Sequence, residues 1–160
     1  MRKKMLLALG LAFWAATGPA ARAADGAWEA SAAPVTQEQG TPYCHMTRRD
    51  GARTISFIAQ PGKQFIGLFA PALENREMDL QTTLRFAGGS TYQLKWLGAN
   101  GSYIAQLSRA GLSTLLDAVM VWDDEMHLEA SGGTTVRFAL DGAADTARTM
   151  FDCRKKLPEG

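Results

Sequence analysis

The stretch TTVRFALDGAADTARTMFDC, residues 134–153, decides the expected fold. Its first half alternates apolar and polar residues, which predicts a half-buried strand. The residues expected to face inward on that strand are Val136, Phe138 and Leu140. Its second half predicts a helix that Asp141 caps and that Gly142 allows to begin sharply. The expected buried stripe of this helix consists of Ala143, Ala147, Met150 and Phe151. A strand followed by such a helix predicts a unit that completes a sheet and covers it.

Upstream of this stretch, short alternating segments are separated by turns rich in Gly, Pro and Asp. The predicted strands are 27–30, 43–47, 54–60, 64–69, 79–86, 91–97, 103–107 and 125–130. Because consecutive strands lie so close in the sequence, we expect them to pair as an antiparallel meander.

One segment departs from the strand period of two. Leucine and other apolar residues between Leu112 and Met120 recur at i, i+3, i+4, i+7 and i+8, which predicts an amphipathic helix. Ser108 is its expected N-cap, and Trp122 marks its end. The fold class that follows is mainly β (α+β): an antiparallel β-sandwich or curled sheet with two late helices packed on it.

Residues 1–23 have the features of a secretory signal peptide. A basic start is followed by an apolar run from Met5 to Ala16 and by small residues before a cleavage site after Ala23. The run is shorter than the roughly 20 residues that span a membrane, so we expect cleavage rather than a retained anchor. This predicts a periplasmic or secreted protein, exported by the general secretory route and not membrane-spanning after cleavage. The expected organisation is a signal peptide at 1–23, an N-terminal strand and loop at 24–41, one β-rich domain at 42–157 and a tail at 158–160.

The net charge depends on that cleavage. The full chain has 17 basic and 16 acidic residues, a net charge of +1. Cleavage after Ala23 removes four basic residues and no acidic one, which leaves 13 basic residues against 16 acidic ones, a net charge of −3. A mildly acidic chain without a basic cluster is not expected to bind nucleic acid.

Cys44 and Cys153 are the two cysteines of the chain. In an exported chain, two cysteines predict one disulfide bond in an oxidising compartment. His45 beside Cys44 is placed to tune a redox-active pair. Redox-active cysteines usually lie close together in sequence, however, so a structural disulfide that closes the domain is the favoured interpretation.

Common catalytic motifs are absent from the sequence, which contains no G-x-S-x-G, H-E-x-x-H, C-x-x-C, P-loop or dinucleotide fingerprint. The best candidate for chemistry is the segment 123–129. On a strand, Glu125, His127 and Glu129 share one face, as a divalent-metal site or a His–carboxylate pair requires. No third histidine or thiol ligand accompanies them, so we favour a solvated strand face and expect no metal, no cofactor and no enzyme activity.

Aromatic residues provide candidates of a second kind. An apolar groove for a peptide or lipid would be lined by Phe57, Phe65, Phe69, Tyr92 and Trp96, although aromatic residues at strand spacing are more typical of a core. An exposed Tyr103 or Trp122, or the loop at 71–78, would mark a contact surface.

Three parts of the chain together resemble a known family. They are Tyr43-Cys44-His45-Met46, the mid-chain strand meander, and Val136-Arg137-Phe138-Ala139-Leu140-Asp141-Gly142 leading through an alanine-rich helix to Phe151-Asp152-Cys153. In this layout the chain resembles the invasion-associated locus B family of small bacterial periplasmic proteins. Its ending also resembles that of a type VI secretion accessory family. The resemblance implies a non-enzymatic envelope protein and assigns no catalytic residue.

These observations favour a non-enzymatic periplasmic binding or envelope-interaction module, whose partner is another envelope protein or a peptide. One alternative is a proteinaceous inhibitor of a hydrolase, such as a lysozyme or protease, with the loop at 71–78 as the inhibitory element. A rigid, disulfide-closed domain suits that role because it loses little entropy on binding. A second alternative is a secretion-system accessory protein.

Overall fold

The computed structural model describes residues 25–37, 40–73, 79–122 and 124–159. Within them the chain forms a nine-stranded antiparallel sheet, curled into a half-barrel, with two C-terminal helices packed against it. The strands are β1 (Trp28–Ala30), β2 (Cys44–Asp50), β3 (Arg53–Gln60), β4 (Lys63–Phe69), β5 (Asp79–Phe86), β6 (Thr91–Ala99), β7 (Ser102–Leu107), β8 (Glu125–Ala130) and β9 (Thr135–Ala139). The helices are α1 (Arg109–Val121) and α2 (Ala143–Arg154), and a 3-10 turn spans Pro71–Leu73. Of the two predicted architectures, the chain adopts the curled sheet.

The strand order across the sheet is β1-β2-β3-β4-β7-β6-β5-β8-β9, and all neighbouring strands are antiparallel. The first four strands form the meander that their short turns predict. The next three form a second meander that enters the sheet in reverse order, because β7 rather than β5 pairs with β4. Helix α1 then carries the chain from β7 to β8, which pairs with the far side of β5.

The inner face of the half-barrel and the apolar faces of both helices form one core. Strand alternation places Phe57, Trp96 and Phe138 on this face, and each is fully buried. The indole N–H of Trp96 donates to Thr82 Oγ1 at 2.8 Å, so its polar atom is satisfied inside the core. Large buried side chains therefore fill the inner face of the half-barrel at these positions.

The curl brings the two edge strands of the sheet close to each other. The Trp28 indole on β1 donates a hydrogen bond to the carbonyl oxygen of Ala139 on β9, at 2.9 Å. Nearby, the Arg53 guanidinium lies 5.7 Å from the centre of the Phe138 ring. These contacts shield edges that would otherwise present unpaired backbone groups.

Helix α1 begins as its sequence predicts. The Ser108 side chain accepts a hydrogen bond from the Gly111 N–H at 2.9 Å, which confirms Ser108 as the N-cap. The helix buries the expected apolar face except for Met120, which is half-buried, and it ends with the Trp122 ring against Gly88, in the turn between β5 and β6. Strands β6 and β7 pair over only three residues each, Leu97–Ala99 with Ser102–Ile104, and separate beyond them. Helix α1 spans the end of the sheet at which these two strands have separated.

Helix α2 is joined to the sheet by the disulfide between Cys44 on β2 and Cys153, and both cysteines are fully buried. This confirms the predicted bond, which links positions 109 residues apart. The expected stripe of Ala143, Ala147 and Met150 is also fully buried. Phe151 lies at its margin and is only half-buried.

The predicted cap of α2 is wrong. Gly142, with φ at +73°, occupies the N-cap position, and no side chain caps the helix there. The carboxylate of Asp141 instead accepts a hydrogen bond from Arg48 Nη1 on β2, at 2.9 Å. A strand-to-helix turn in the left-handed region, which glycine adopts freely, points the preceding side chain away from the helix and towards the sheet.

Two of the sequence predictions lie outside the described residues. They are the signal peptide at 1–23 and the part of the loop at 71–78 that runs from 74 to 78. None of the helices in the described ranges is both long and apolar enough to cross a membrane.

Candidate functional site

The three side chains singled out for chemistry do share the outer face of β8. His127 Nε2 lies 2.9 Å from Glu125 Oε2, so these two form the His–carboxylate pair that their spacing allows. Glu129 turns to the neighbouring strand and accepts a hydrogen bond from Arg85 Nε at 2.7 Å. Cross-strand register explains this division, because Arg85 on β5 pairs with His127 and lies diagonally opposite Glu129.

The surroundings of these carboxylates are cationic. Arg137 on β9 lies 3.9 Å from Glu125, and Arg85 holds Glu129. A divalent ion would have to displace both arginines to gain two carboxylate ligands. Within the described ranges, no three His, Cys, Asp or Glu side chains converge as a metal site requires. The geometry is that of a surface ion-pair ladder.

His45 lies next to the disulfide in sequence but on the opposite face of β2. Strand alternation buries Cys44 in the core and turns the His45 ring outward, 5.8 Å from the ring of Tyr43. The group beside the disulfide is instead Ser31, whose Oγ lies 3.5 Å from Cys153 Sγ and accepts a hydrogen bond from the His45 backbone N–H. The imidazole is therefore not positioned to tune the disulfide.

The His45 side chain is nonetheless unusual. Its Nδ1 atom is buried and has no hydrogen-bond partner in the described part of the chain. Burial lowers the pKa of this histidine below its ordinary value of 6.5, since the charged form would lose its hydration. The ring is consequently a neutral group at the edge of the outer face.

The five aromatic residues considered for a groove do not share one surface. Phe57 and Trp96 are buried in the core, whereas Phe65 and Phe69 lie on the outer face and are half-buried. Tyr92 packs edge-on against Phe86 at the margin of the core. The groove proposed from their spacing is therefore not formed by this set.

Tyr103, Trp122 and the loop at 71–78 were the other candidates for a contact surface. Tyr103 is 3% exposed, and its hydroxyl donates to the Leu73 carbonyl oxygen at 3.0 Å. Trp122 is half-buried against Gly88. In the first part of the 71–78 loop, Leu73 is buried beneath the 3-10 turn. Tyr103 and Leu73 are therefore core residues, and Trp122 is a packing residue with part of its ring exposed.

A different apolar surface lies on the outer face of β3, β4, β7 and β6. Its members, called here the outer apolar patch, are Ile58, Phe65, Phe69, Leu97 and Ile104. Two cross-strand pairs build it: Ile58 opposite Phe65, and Leu97 opposite Ile104. Leu97 is 58% exposed and Ile104 is 40% exposed, and the other three are half-buried. Gly67 lies opposite Ile104, between the two pairs, and adds no side chain to the surface.

The outer apolar patch is flanked by basic side chains. Arg49 on β2, Lys63 on β4 and Lys95 on β6 are exposed and lie on the same outer face by strand alternation. None of the three forms an ion pair with another residue in the described ranges. The ion-paired Glu125 and Glu129 lie on β8, beyond β5 and away from this patch. The patch thus combines an apolar surface with three basic side chains that lie beside it.

Sequence reasoning missed this surface, although a signal for it was present. Strand 54–60 carries Ile58 in the outward series, and strand 64–69 carries Phe65 and Phe69 in the outward series. An apolar residue on the polar side of one strand needs no explanation. Several such residues become a surface only when the strand order places them side by side.

Comparison of the chain with protein-family models, with curated proteins and with solved structures finds no match. The function must therefore be inferred from the surfaces described above.

Proposed function

We propose that this protein is a non-enzymatic binding module of the bacterial envelope, which uses the outer apolar patch to hold an acidic protein partner. The observation that carries the proposal is an apolar surface built by neighbouring strands, with Leu97 and Ile104 as its most exposed members and with three unpaired cations beside it. Apolar surfaces of this kind on a folded domain are typical of interaction sites.

The packed interior supports an external site. Small curled β-domains bind ligands either inside the sheet or on its outside. Here Trp96, Phe57 and Phe138 occupy the inside and are completely buried. The described carboxylates of the ion-pair ladder are already held by arginines. The outer apolar patch therefore remains the best-supported surface for a macromolecular partner.

The charges around the patch define the kind of partner. Arg49, Lys63 and Lys95 would each be neutralised by a carboxylate on a partner with an apolar centre and an acidic margin. A second copy of this chain fits less well, because a symmetric contact through the patch would bring like charges together. The proposal is accordingly a heterologous complex.

The envelope location rests on two supports. One is the signal-peptide pattern of residues 1–23, and the other is the disulfide, since such bonds persist mainly in oxidising compartments. A partner in the same compartment would be another envelope protein or a peptide. Inhibition of a hydrolase is one form that such a complex would take, with the outer face rather than the loop at 71–78 as the contact.

Site-specific crosslinking in the native host tests this function. A photoreactive residue at position 97 is expected to trap one protein, whereas the same residue at position 121 is not. Val121 is the matched control because it is 68% exposed, apolar and located on α1, away from the patch. Adducts that are the same from both positions would count against the proposal.

Binding of the trapped partner, once purified, provides the quantitative test. The substitutions Leu97→Asp and Ile104→Asp are expected to weaken binding at least about tenfold each, because each places a charge in the apolar patch. Val121→Asp should leave the affinity unchanged. Affinity should also fall as salt is added, since exposed charges are screened. Salt-independent binding that survives both patch substitutions would refute the proposed surface.

A further inference from the structure

A cleft of about 340 Å³ lies beyond the Phe65 end of the outer apolar patch, where four separate parts of the chain meet. These parts are the turn between β3 and β4 at 60–62, the end of β7, the first turn of α1, and the segment from Arg154 to Glu159. Its volume falls within the usual range for small-ligand sites. It has no residue in common with the outer apolar patch.

One wall of the cleft carries two arginines. Arg154 Nη1 lies 3.2 Å from Ser113 Oγ, Nη2 lies 3.5 Å from the Arg109 carbonyl oxygen, and the guanidinium sits 5.4 Å from the centre of the Phe151 ring. These contacts hold the group in place, but all its partners are neutral. Arg109 also lines the cleft, and its guanidinium makes no ion pair with any residue of the described ranges.

Neither arginine of this wall forms an ion pair within the described residues. Burial, together with the neighbouring charge of Arg109, lowers the pKa of the Arg154 guanidinium, while Asp117 partly offsets this. Glu159 lines the same cleft but forms no ion pair with either arginine. A bound anion would relieve the repulsion between the two cations.

The rest of the lining combines amides with apolar surface. Gln60, Gln64 and Gln106 line the cleft, and Gln64 is 7% exposed, with its side-chain N–H donating to the Gln60 carbonyl oxygen at 3.3 Å. Leu107 and Leu157 add aliphatic contacts. Such walls complement a molecule that has both an amide and an apolar side chain.

From this arrangement we infer that the cleft binds a carboxylate attached to a small body with an amide and an apolar side chain. The planar guanidinium of Arg154 matches a carboxylate with two parallel hydrogen bonds, and Arg109 adds a second cation. The glutamine amides hold the amide group, and the two leucines hold the apolar side chain. The carboxylate belongs either to a peptide C-terminus or to a free acyl amino acid.

Titration of the full chain with two carboxylate probes tests the inference. The probes are N-acetyl-leucine and the peptide Gly-Ala-Ala-Leu with a free C-terminus, followed by isotope-edited NMR. Chemical-shift changes are expected at residues 60–64 and 106–109. Tighter binding of the peptide identifies a peptide C-terminus, and tighter binding of N-acetyl-leucine identifies a free acid. N-acetyl-leucinamide, which lacks the carboxylate, should bind at least about tenfold more weakly.

Substitutions in the cleft separate a specific site from general attraction. Arg109→Gln should weaken N-acetyl-leucine binding at least about tenfold and leave the fold intact, because the Arg109 guanidinium makes no ion pair. Arg148→Gln, an equal change of charge on the exposed side of α2, should have little effect. Glu159→Gln should strengthen binding by removing a repelling carboxylate.

Equal binding of the amide probe, unchanged binding by Arg109→Gln, or no shift at millimolar concentrations of either carboxylate would overturn the inference. Failure here is distinct from failure of the outer apolar patch, since Leu97→Asp, on a strand that does not line the cleft, should not change binding in the cleft.

Discussion

Arg48 shows how a single side chain ties the ends of the domain together. Only 6% of it is exposed, although it is a permanent cation. Its guanidinium donates to Asp50 at 2.9 and 3.0 Å and to Asp141 at 2.9 Å, and it lies 5.9 Å from the centre of the Trp28 ring. A buried charge is tolerated when it is paired and hydrogen-bonded in this way. Arg48 thereby links β2 to the start of α2.

His45 is the residue at which pH should act on stability. Its pKa is lowered by burial in the folded chain, so the unfolded chain binds a proton first as pH falls. The histidine's contribution to the free energy of unfolding is therefore present above the unfolded pKa of 6.5 and is lost as pH falls towards the lower folded pKa. Between about pH 7 and about pH 5, wild type should lose more stability than His45→Gln, as urea denaturation would measure.

The second histidine of the chain provides the control for that measurement. His127 lies on the outer face of β8 and is paired with Glu125. The variant His127→Gln should keep the steep pH dependence that His45→Gln loses. If wild type and His45→Gln show the same slope, then the buried imidazole does not govern acid sensitivity.

At the scale of elements, each helix has a particularly close contact with the sheet or its turns at its C-terminal end. Helix α2 is anchored at Cys153, and α1 is anchored where Trp122 covers Gly88. A Cβ atom on Gly88 would lie 1.8 Å from Trp122 Cη2, so only glycine allows the ring to approach this closely. The glycine at this turn is thus required by packing rather than by a positive φ.

Gly88→Ala should therefore destabilise the chain by about 1–3 kcal/mol, the usual cost of overpacking. A double-mutant cycle with Trp122→Ala isolates the cause. When the ring is absent, adding a methyl group at position 88 should cost little, so that the two substitutions couple strongly. Thermal or urea unfolding of the four proteins measures the coupling. Additive effects would mean that the contact between α1 and the β5–β6 turn is not close.

At the scale of the whole molecule, the disulfide closes nearly the entire domain. It joins Cys44, near the start of the sheet, to Cys153, in the last turn of α2. Such a bond restricts the unfolded chain, and the restriction grows with the number of residues enclosed.

Replacement of both cysteines by alanine should lower the free energy of unfolding by about 4.7 kcal/mol, the value of the chain-entropy model for a loop of roughly 100 residues. The matched comparison is wild type unfolded with and without a reductant, which should reproduce the loss without any substitution. A double alanine variant as stable as oxidised wild type would show that the bond contributes no net stability.

Most of the local structure follows from sequence patterns. The period of two in residues 54–60 and 79–86 predicts the strands and their buried faces, and the structure has both. The leucine spacing after Ser108 predicts α1 for the same reason, because burial of one face imposes the period of the element. The disulfide was predictable because the chain has only two cysteines.

The cap of α2 and the candidate sites were harder to predict, because each depends on a residue distant in sequence. The Asp141 carboxylate does not cap the helix and instead accepts a hydrogen bond from Arg48, which lies 93 positions earlier in the sequence. Glu125 and Glu129 are divided between partners on β8, β9 and β5. The spacing along β8 correctly predicted that these side chains share one face. It could not predict which arginines on the adjacent strands would pair with them.

Patterns within single segments thus determine the strands, the two helices, their buried faces and the covalent closure of this protein. Only the tertiary structure decides that β7 lies beside β4. This pairing brings together the outer apolar patch and the cleft that Arg109 and Arg154 line. The reason is physical. Periodicity records which face of an element is buried, whereas a binding surface depends on which elements become neighbours, and that is settled by how well distant faces pack together.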